Sequence, residues 1–241
     1  MFVEPERSPY DLTWTMFGTP IRVTPWFWVV SALLGWNAIE LGIEYVLLWV
    51  ACVFVSILVH EFGHVFTGRL FHAQGHIVLH GFGGLAIGSS ALPNRWQRIL
   101  VYLAGPVAGF LLFGVVWLVA TLVLPPPRHL FVEEAVWNLT WINVAWGIVN
   151  LFPIYPLDGG QISRDLCGWL LPGKGLTASL VLSIAAGVLV MLFFLWLRYW
   201  YGALLFGILA FNSFQMLQET QSVQQYDDPY YRHRPWDRDD W

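Results

Sequence analysis

The sequence predicts an all-α polytopic membrane protein with about six transmembrane helices and a short membrane-associated β segment between the second and third. Three observations carry that expectation. Of the 241 residues, 57% are hydrophobic and only 12% are charged, a balance that excludes an ordinary water-soluble globule. Apolar runs long enough to cross roughly 30 Å of hydrocarbon recur along the chain. Fifteen tryptophans suit a bilayer, because indole rings favour the headgroup region at the ends of a span.

Taken in order, residues 1–24 contain Glu4, Glu6, Asp11 and prolines before any apolar run, so a cleavable signal peptide is not expected and the segment reads as a cytoplasmic N-terminus. The expected spans are Pro25–Gly42, Tyr45–Leu70, Ile99–Leu124, Ala135–Leu157, Leu176–Leu197 and Trp200–Leu217, forming one membrane domain over residues 25–217. Between the second and third lies HAQGHIVLHGFGGLAIGSSALP, too glycine-rich for a stable helix and too apolar for a solvated loop. One or two short strands at membrane depth fit it, shielded by protein or a water-filled cavity. In the third span AGPVAG sets Gly105 and Gly109 four apart, which reads as close helix packing. From Gln218 the chain turns polar, and residues 218–241 read as a disordered cytoplasmic tail.

Basic residues test this layout. Six crossings put Arg7, Arg22, Arg69, Arg95, Arg98, Arg164, Lys174, Arg232, Arg234 and Arg238 on one side, leaving only Arg128 and Arg198 on the other. By the positive-inside rule the first set faces the cytoplasm, along with both termini. The net charge of −4, with no basic stripe interleaved with aromatics, gives nucleic-acid binding no support. Cys52 and Cys167 lack C-x-x-C spacing and read as buried thiols.

The chemistry concentrates in LVHEFGHVF, residues 58–66. Residues four apart share a helix face, so His60 and His64 can present two imidazoles to one metal ion, with Glu61 beside them to handle a proton of bound water. An ionisable group mid-span costs roughly 2.5–3.5 kcal/mol on insertion scales, and a metal is a partner that makes it tolerable. Catalytic zinc usually takes three protein ligands. Asp158 is the leading candidate for the third: it follows NLFPIYPL and precedes Gly159 and Gly160, where the prolines and the glycine pair must break the fourth span. The second and fourth spans both run toward the cytoplasm, so His60, roughly 22 Å into its span, and Asp158 fall toward the same face. A broken span with buried His and Asp also describes a metal transporter, although no paired repeat is apparent. A silent scaffold is the other alternative, and the complete set of ligands and base argues against it.

Together HEFGH, GFGGLA, AGPVAG and NLFPIYPLDGG resemble the site-2 protease family of intramembrane zinc metalloproteases, over about Ile21 to Trp169. The resemblance implies that His60, His64 and Asp158 ligate Zn²⁺ and that Glu61 is the general base. It places Gly83 and Gly84 at the substrate cleft and gives Asn150 a part in holding substrate or polarising the scissile carbonyl, unless that amide merely satisfies a neighbouring helix. It implies the lipid bilayer as surroundings, a bacterial cell membrane as location and a single-span membrane protein as substrate, an anti-sigma factor or a signal-peptide remnant being examples. No PDZ or CBS domain is recognisable, so the chain resembles the short form of the family. His72, His76 and His80 read as polar loop residues, Glu40, Glu44, Glu133 and Glu134 as solvated, and His129 has no assigned role.

Overall fold

A computed structural model describes residues 4–124 and 128–227, the side chains of 223–227 excepted. The described chain divides between Leu151 and Phe152 into two compact units. Among the described residues four helices are long and apolar enough to cross a membrane: Ile43–Leu70, Arg95–Leu122, Gly175–Trp196 and the Trp200–Ser222 part of the last. The protein is an integral membrane protein, mostly helical, with one small sheet.

The first unit holds strands β1 (Leu12–Met16) and β2 (Thr19–Val23), helices α1 (Pro25–Leu34) and α2 (Ile43–Leu70), strands β3 (His76–His80) and β4 (Gly83–Ile87), and helices α3 (Arg95–Leu122) and α4 (Leu130–Asn150). The β segment expected after the second span, read as one or two strands, forms two, β3 and β4. The sheet has four, in the order β1-β2-β3-β4, because the N-terminal segment folds into a hairpin that pairs in parallel with β3 through Ile21 opposite Ile77 and Val23 opposite Leu79. Phe17 and Gly18 close that hairpin with φ of 51° and 69°. Two successive positive φ values match the turn whose twist suits a two-residue hairpin. The Phe17 ring then packs on Phe62 and Phe66 of α2, with centroids 5.7 and 6.1 Å away.

Ile21, Val23, Ile77 and Leu79, all 2% exposed or less, pack with Phe27, Ile57, Leu58, Phe62 and Val65 to form the core between sheet and α2. The N-terminal segment is tied down electrostatically. Buried Arg22 donates to Asp11 at 3.0 Å, to Glu4 at 2.8 Å and to the carbonyls of Pro5 and Glu6.

The first expected span differs from expectation. Helix α1 is only ten residues long, about 15 Å at 1.5 Å per residue, and stops at Gly35 before a single 3-10 turn over Trp36–Glu40. Any Cβ at Gly35 would overlap the Trp49 indole, whose Nε1 donates to the Ser31 carbonyl at 3.1 Å, so α1 ends where it is pinned to α2. Helix α4 stops at Asn150, seven residues short of the expected end, because Pro153 and Pro156 cannot continue it.

The second unit contains α5 (Asp158–Leu170), α6 (Gly175–Trp196) and α7 (Trp200–Asp227). Helices α6 and α7 meet at Gly187 and Ala210 and share a chain of hydrogen bonds: the Tyr155 amide donates to Ser183 Oγ at 2.8 Å, Ser183 lies 2.8 Å from Ser213, and Ser213 donates to the Leu209 carbonyl. Helix α7 continues to Asp227, into the stretch expected as a tail; residues 228–241 lie outside the described residues.

Candidate metal centre

Helix α2 repeats buried positions at helical spacing through Ser56, Ile57, His60, Glu61, His64, Val65 and Gly68, so one face turns inward. His60, Glu61 and His64 are only 3%, 4% and 5% exposed. The two imidazole rings stand 4.8 Å apart, centroid to centroid, at 78° to one another, with ligand nitrogens within 4.8 Å. His64 Nδ1 lies 2.7 Å from the Val101 carbonyl oxygen on α3. A carbonyl only accepts, so Nδ1 carries the proton, and in the neutral ring Nε2 keeps its lone pair.

Helix α3 supplies the space those lone pairs need. At Gly105, one turn beyond Val101, an added Cβ would overlap His64 Nε2 and stand 2.7 Å from His60 Nε2. Both Nε2 atoms therefore converge beneath a residue that has no side chain. The close-packing reading of Gly105 captured the approach of α3 without seeing that the imidazoles fill it. Gly63 makes the backbone contact itself, against the Ala104 carbonyl. Two imidazoles sharing one pocket, one oriented through its other nitrogen by a carbonyl, are suited to a divalent transition-metal ion.

Glu61 faces the sheet. An added Cβ at Gly84 on β4 would lie 2.5 Å from Glu61 Oε1, and one at Gly83, where φ is +129°, would lie 2.8 Å from Cζ2 of Trp146 on α4. Gly83 and Gly84 thus bring strand backbone against the carboxylate and the indole. Asn150 is 8% exposed and donates from Nδ2 to the Trp146 carbonyl at 2.9 Å, giving it a partner on its own helix. Asn143 pins α4 to α2, donating to Ser56 Oγ at 2.9 Å.

Asp158 belongs to the second unit. It is the half-buried first residue of α5, where a carboxylate suits the helix dipole. A Cβ at Gly160 would strike the backbone of Ile154, so glycine lets the proline-rich turn fold back on the helix that Asp158 opens.

Among the described residues, His72, His76 and His80 do not join the pair. His72 is exposed, His76 Nε2 lies 3.5 Å from Glu4 Oε1, and His80 Nδ1 accepts from the Phe82 amide at 3.3 Å. Burial pushes the His80 imidazole below its usual range, in keeping with that neutral acceptor role.

Residues 128–196 match the family model of Peptidase family M50. That stretch includes Asp158 but not His60, Glu61 or His64. The chain is 30% identical over 176 residues to a Synechocystis sp. protein whose name assigns it to the zinc metalloproteases, covering 66% of this chain and 44% of that one. It is 26% identical over 153 residues to the zinc metalloprotease MJ0392 of Methanocaldococcus jannaschii, covering 63% and 43%. With stage IV sporulation protein FB of Bacillus subtilis it shares 30% identity over 145 residues, covering 59% and 46%. The chain thus spans less than half the length of these relatives. The solved site-2 protease of Methanocaldococcus jannaschii shares its fold, with a TM-score of 0.64 at 21% identity over 86% of this chain and 95% of that one. The matched stretch and the zinc-metalloprotease relatives make the chain similar to Peptidase family M50, and the solved site-2 protease shows the same fold.

Proposed function

We propose that the chain is an intramembrane zinc metalloendopeptidase that hydrolyses a peptide bond within or near the transmembrane helix of a membrane-protein substrate. The observation that carries this reading is the convergence of His60 Nε2 and His64 Nε2 beneath Gly105, with the adjoining Glu61 against Gly84 of β4. The donor set fits zinc: two ligands about 2.0–2.1 Å from a tetrahedral ion stand roughly 3.4 Å apart, inside the 4.8 Å bound on the imidazole nitrogens. Asp158 is the third ligand. It lies eight residues beyond Asn150, a tether that reaches up to about 28 Å from α4, which packs on α2.

Zinc held there supplies Lewis acidity, acidifying water and polarising a peptide carbonyl. Glu61 takes the proton of the attacking water and returns it to the leaving amine. Gly83 and Gly84 border the cleft, and Asn150 holds the substrate from the end of α4. A substrate helix must unwind before its carbonyls can react. Among the described residues β4 pairs only with β3, leaving an edge to which an extended segment can add.

The substrates are single-span membrane proteins of the anti-sigma-factor or signal-peptide-remnant kind. The location is a bacterial cell membrane with both termini cytoplasmic, an orientation that the distribution of Lys and Arg supports.

Purified wild type and Glu61→Gln are each expected to carry about one zinc per chain. Glu61→Gln should cut membrane-protein precursors slower by a factor of at least about 10²–10⁴. The precursors that accumulate in membranes carrying the variant identify the substrates. Wild-type cleavage by Glu61→Gln removes Glu61 as the base, and full zinc content in His60→Ala removes the metal centre itself.

A further inference from the structure

The indole of Trp146 is a buried donor that the site so far described does not use. Its Nε1 is inaccessible to solvent and has no acceptor among the described residues. Buried polar groups in native proteins nearly always have partners, and the exceptions call for an explanation. Trp146 packs by its apolar surface against the core around α2, which accounts for the ring but leaves the N–H.

The position of that N–H follows from helix geometry. Tyr45 and Phe131, near the starts of α2 and α4, have ring centroids 5.7 Å apart, and Ser56 and Asn143, eleven and twelve residues on, are hydrogen-bonded. The two helices therefore run parallel and in step. One turn beyond Asn143 comes Trp146, and one turn beyond Ser56 come His60 and Glu61. Strand β4 bridges the two: Gly84 sits on Glu61 Oε1 and Gly83 on Cζ2 of the indole, which a single ring carbon separates from Nε1. The unpaired donor is thus one strand residue away from the carboxylate.

We infer that Trp146 is a substrate-binding residue whose indole N–H donates to a backbone carbonyl of the extended peptide lying along β4. The ligand class follows from the site. The indole lies against the glycine backbone of β4, and a peptide laid beside that strand presents carbonyl acceptors at regular spacing. Entry of the peptide must move the Gly81–Gly84 turn by the width of a hydrogen bond, and its three glycines impose little steric resistance. This inference rests on the peptidase reading.

Zinc-loaded full-length protein, labelled with ¹⁵N at its tryptophan indoles, provides the test. A peptidyl hydroxamate, with a metal-binding head and an extended backbone, is compared with acetohydroxamate, which has the head alone. The indole resonance that Trp146→Phe removes is expected to move downfield with the peptidyl compound only. Replacing Trp146 by 3-benzothienylalanine, which keeps the bicyclic shape and loses the donor, should weaken the peptidyl compound about 5- to 10-fold, the worth of one hydrogen bond, and leave acetohydroxamate unchanged. If both compounds bind while the resonance stays fixed and the isostere binds the peptidyl compound as tightly as wild type, the Trp146 assignment fails and the peptidase reading stands. If neither compound binds the zinc-loaded protein, both readings fall together.

Discussion

At the scale of single residues, the centre depends on two missing side chains. Gly105 leaves room over both imidazoles and Gly84 leaves room over Glu61, so the two glycines serve different parts of the chemistry. Gly105→Ala should lower zinc affinity about 10- to 100-fold, the range found when groups that orient metal ligands are disturbed. Gly84→Ala should keep the metal and cut the cleavage rate by about 10²-fold, because Glu61, the proposed general base, loses its alignment when displaced by around 1 Å. Zinc titration alongside cleavage assays separates them; the same defect in both variants would refute the division of roles. His60, Glu61 and His64 are legible in sequence because one helical turn fixes their geometry locally. Gly105 and Trp146 are not, since their meaning depends on which helix face meets which, and that is decided by tertiary packing. A pointer did exist for Gly105, as a small residue within a glycine-rich helical motif.

Among elements, the sequence patterns mark α2, α3, α6 and α7 clearly because each is a long apolar run, and mark β3 and β4 because a glycine-rich apolar stretch suits neither helix nor solvent. The β1–β2 hairpin escapes the same reasoning. Its alternation in LTWTM is short, and the neighbouring charges of Glu4, Glu6, Asp11 and Arg22 suggest a solvated arm. Those charges are what dock it: Arg22 is 7% exposed, and the Asp11 side chain beside it 4%. A buried pair stripped of one partner leaves the other charge uncompensated. Arg22→Ala is therefore expected to destabilise the first unit by about 3 kcal/mol. Thermal unfolding in detergent checks this, with limited proteolysis reporting early release of the first eleven residues. A variant as stable and as protease-resistant as wild type would show that the hairpin is held by its β2–β3 pairing alone.

For the whole molecule, a hydrophobic chain accommodates a cluster of ionisable groups by building a polar centre into one face of a spanning helix and surrounding it with tight helix and strand contacts. The membrane class, the β segment and the break at Pro153 and Pro156 could all be read from composition and pattern. The division of the chain into two units at Leu151 could not, because the apolar runs on either side look alike in sequence. The central proposal is that His60, His64 and Asp158 hold one zinc ion. Zinc K-edge X-ray absorption on the purified full-length protein and on Asp158→Asn tests it most directly. The account predicts two imidazole nitrogens at about 2.0–2.1 Å with oxygen completing the shell, and an oxygen contribution that changes in the variant. Protein that holds no zinc after metal-replete purification, or a spectrum that Asp158→Asn leaves unaltered, would contradict it.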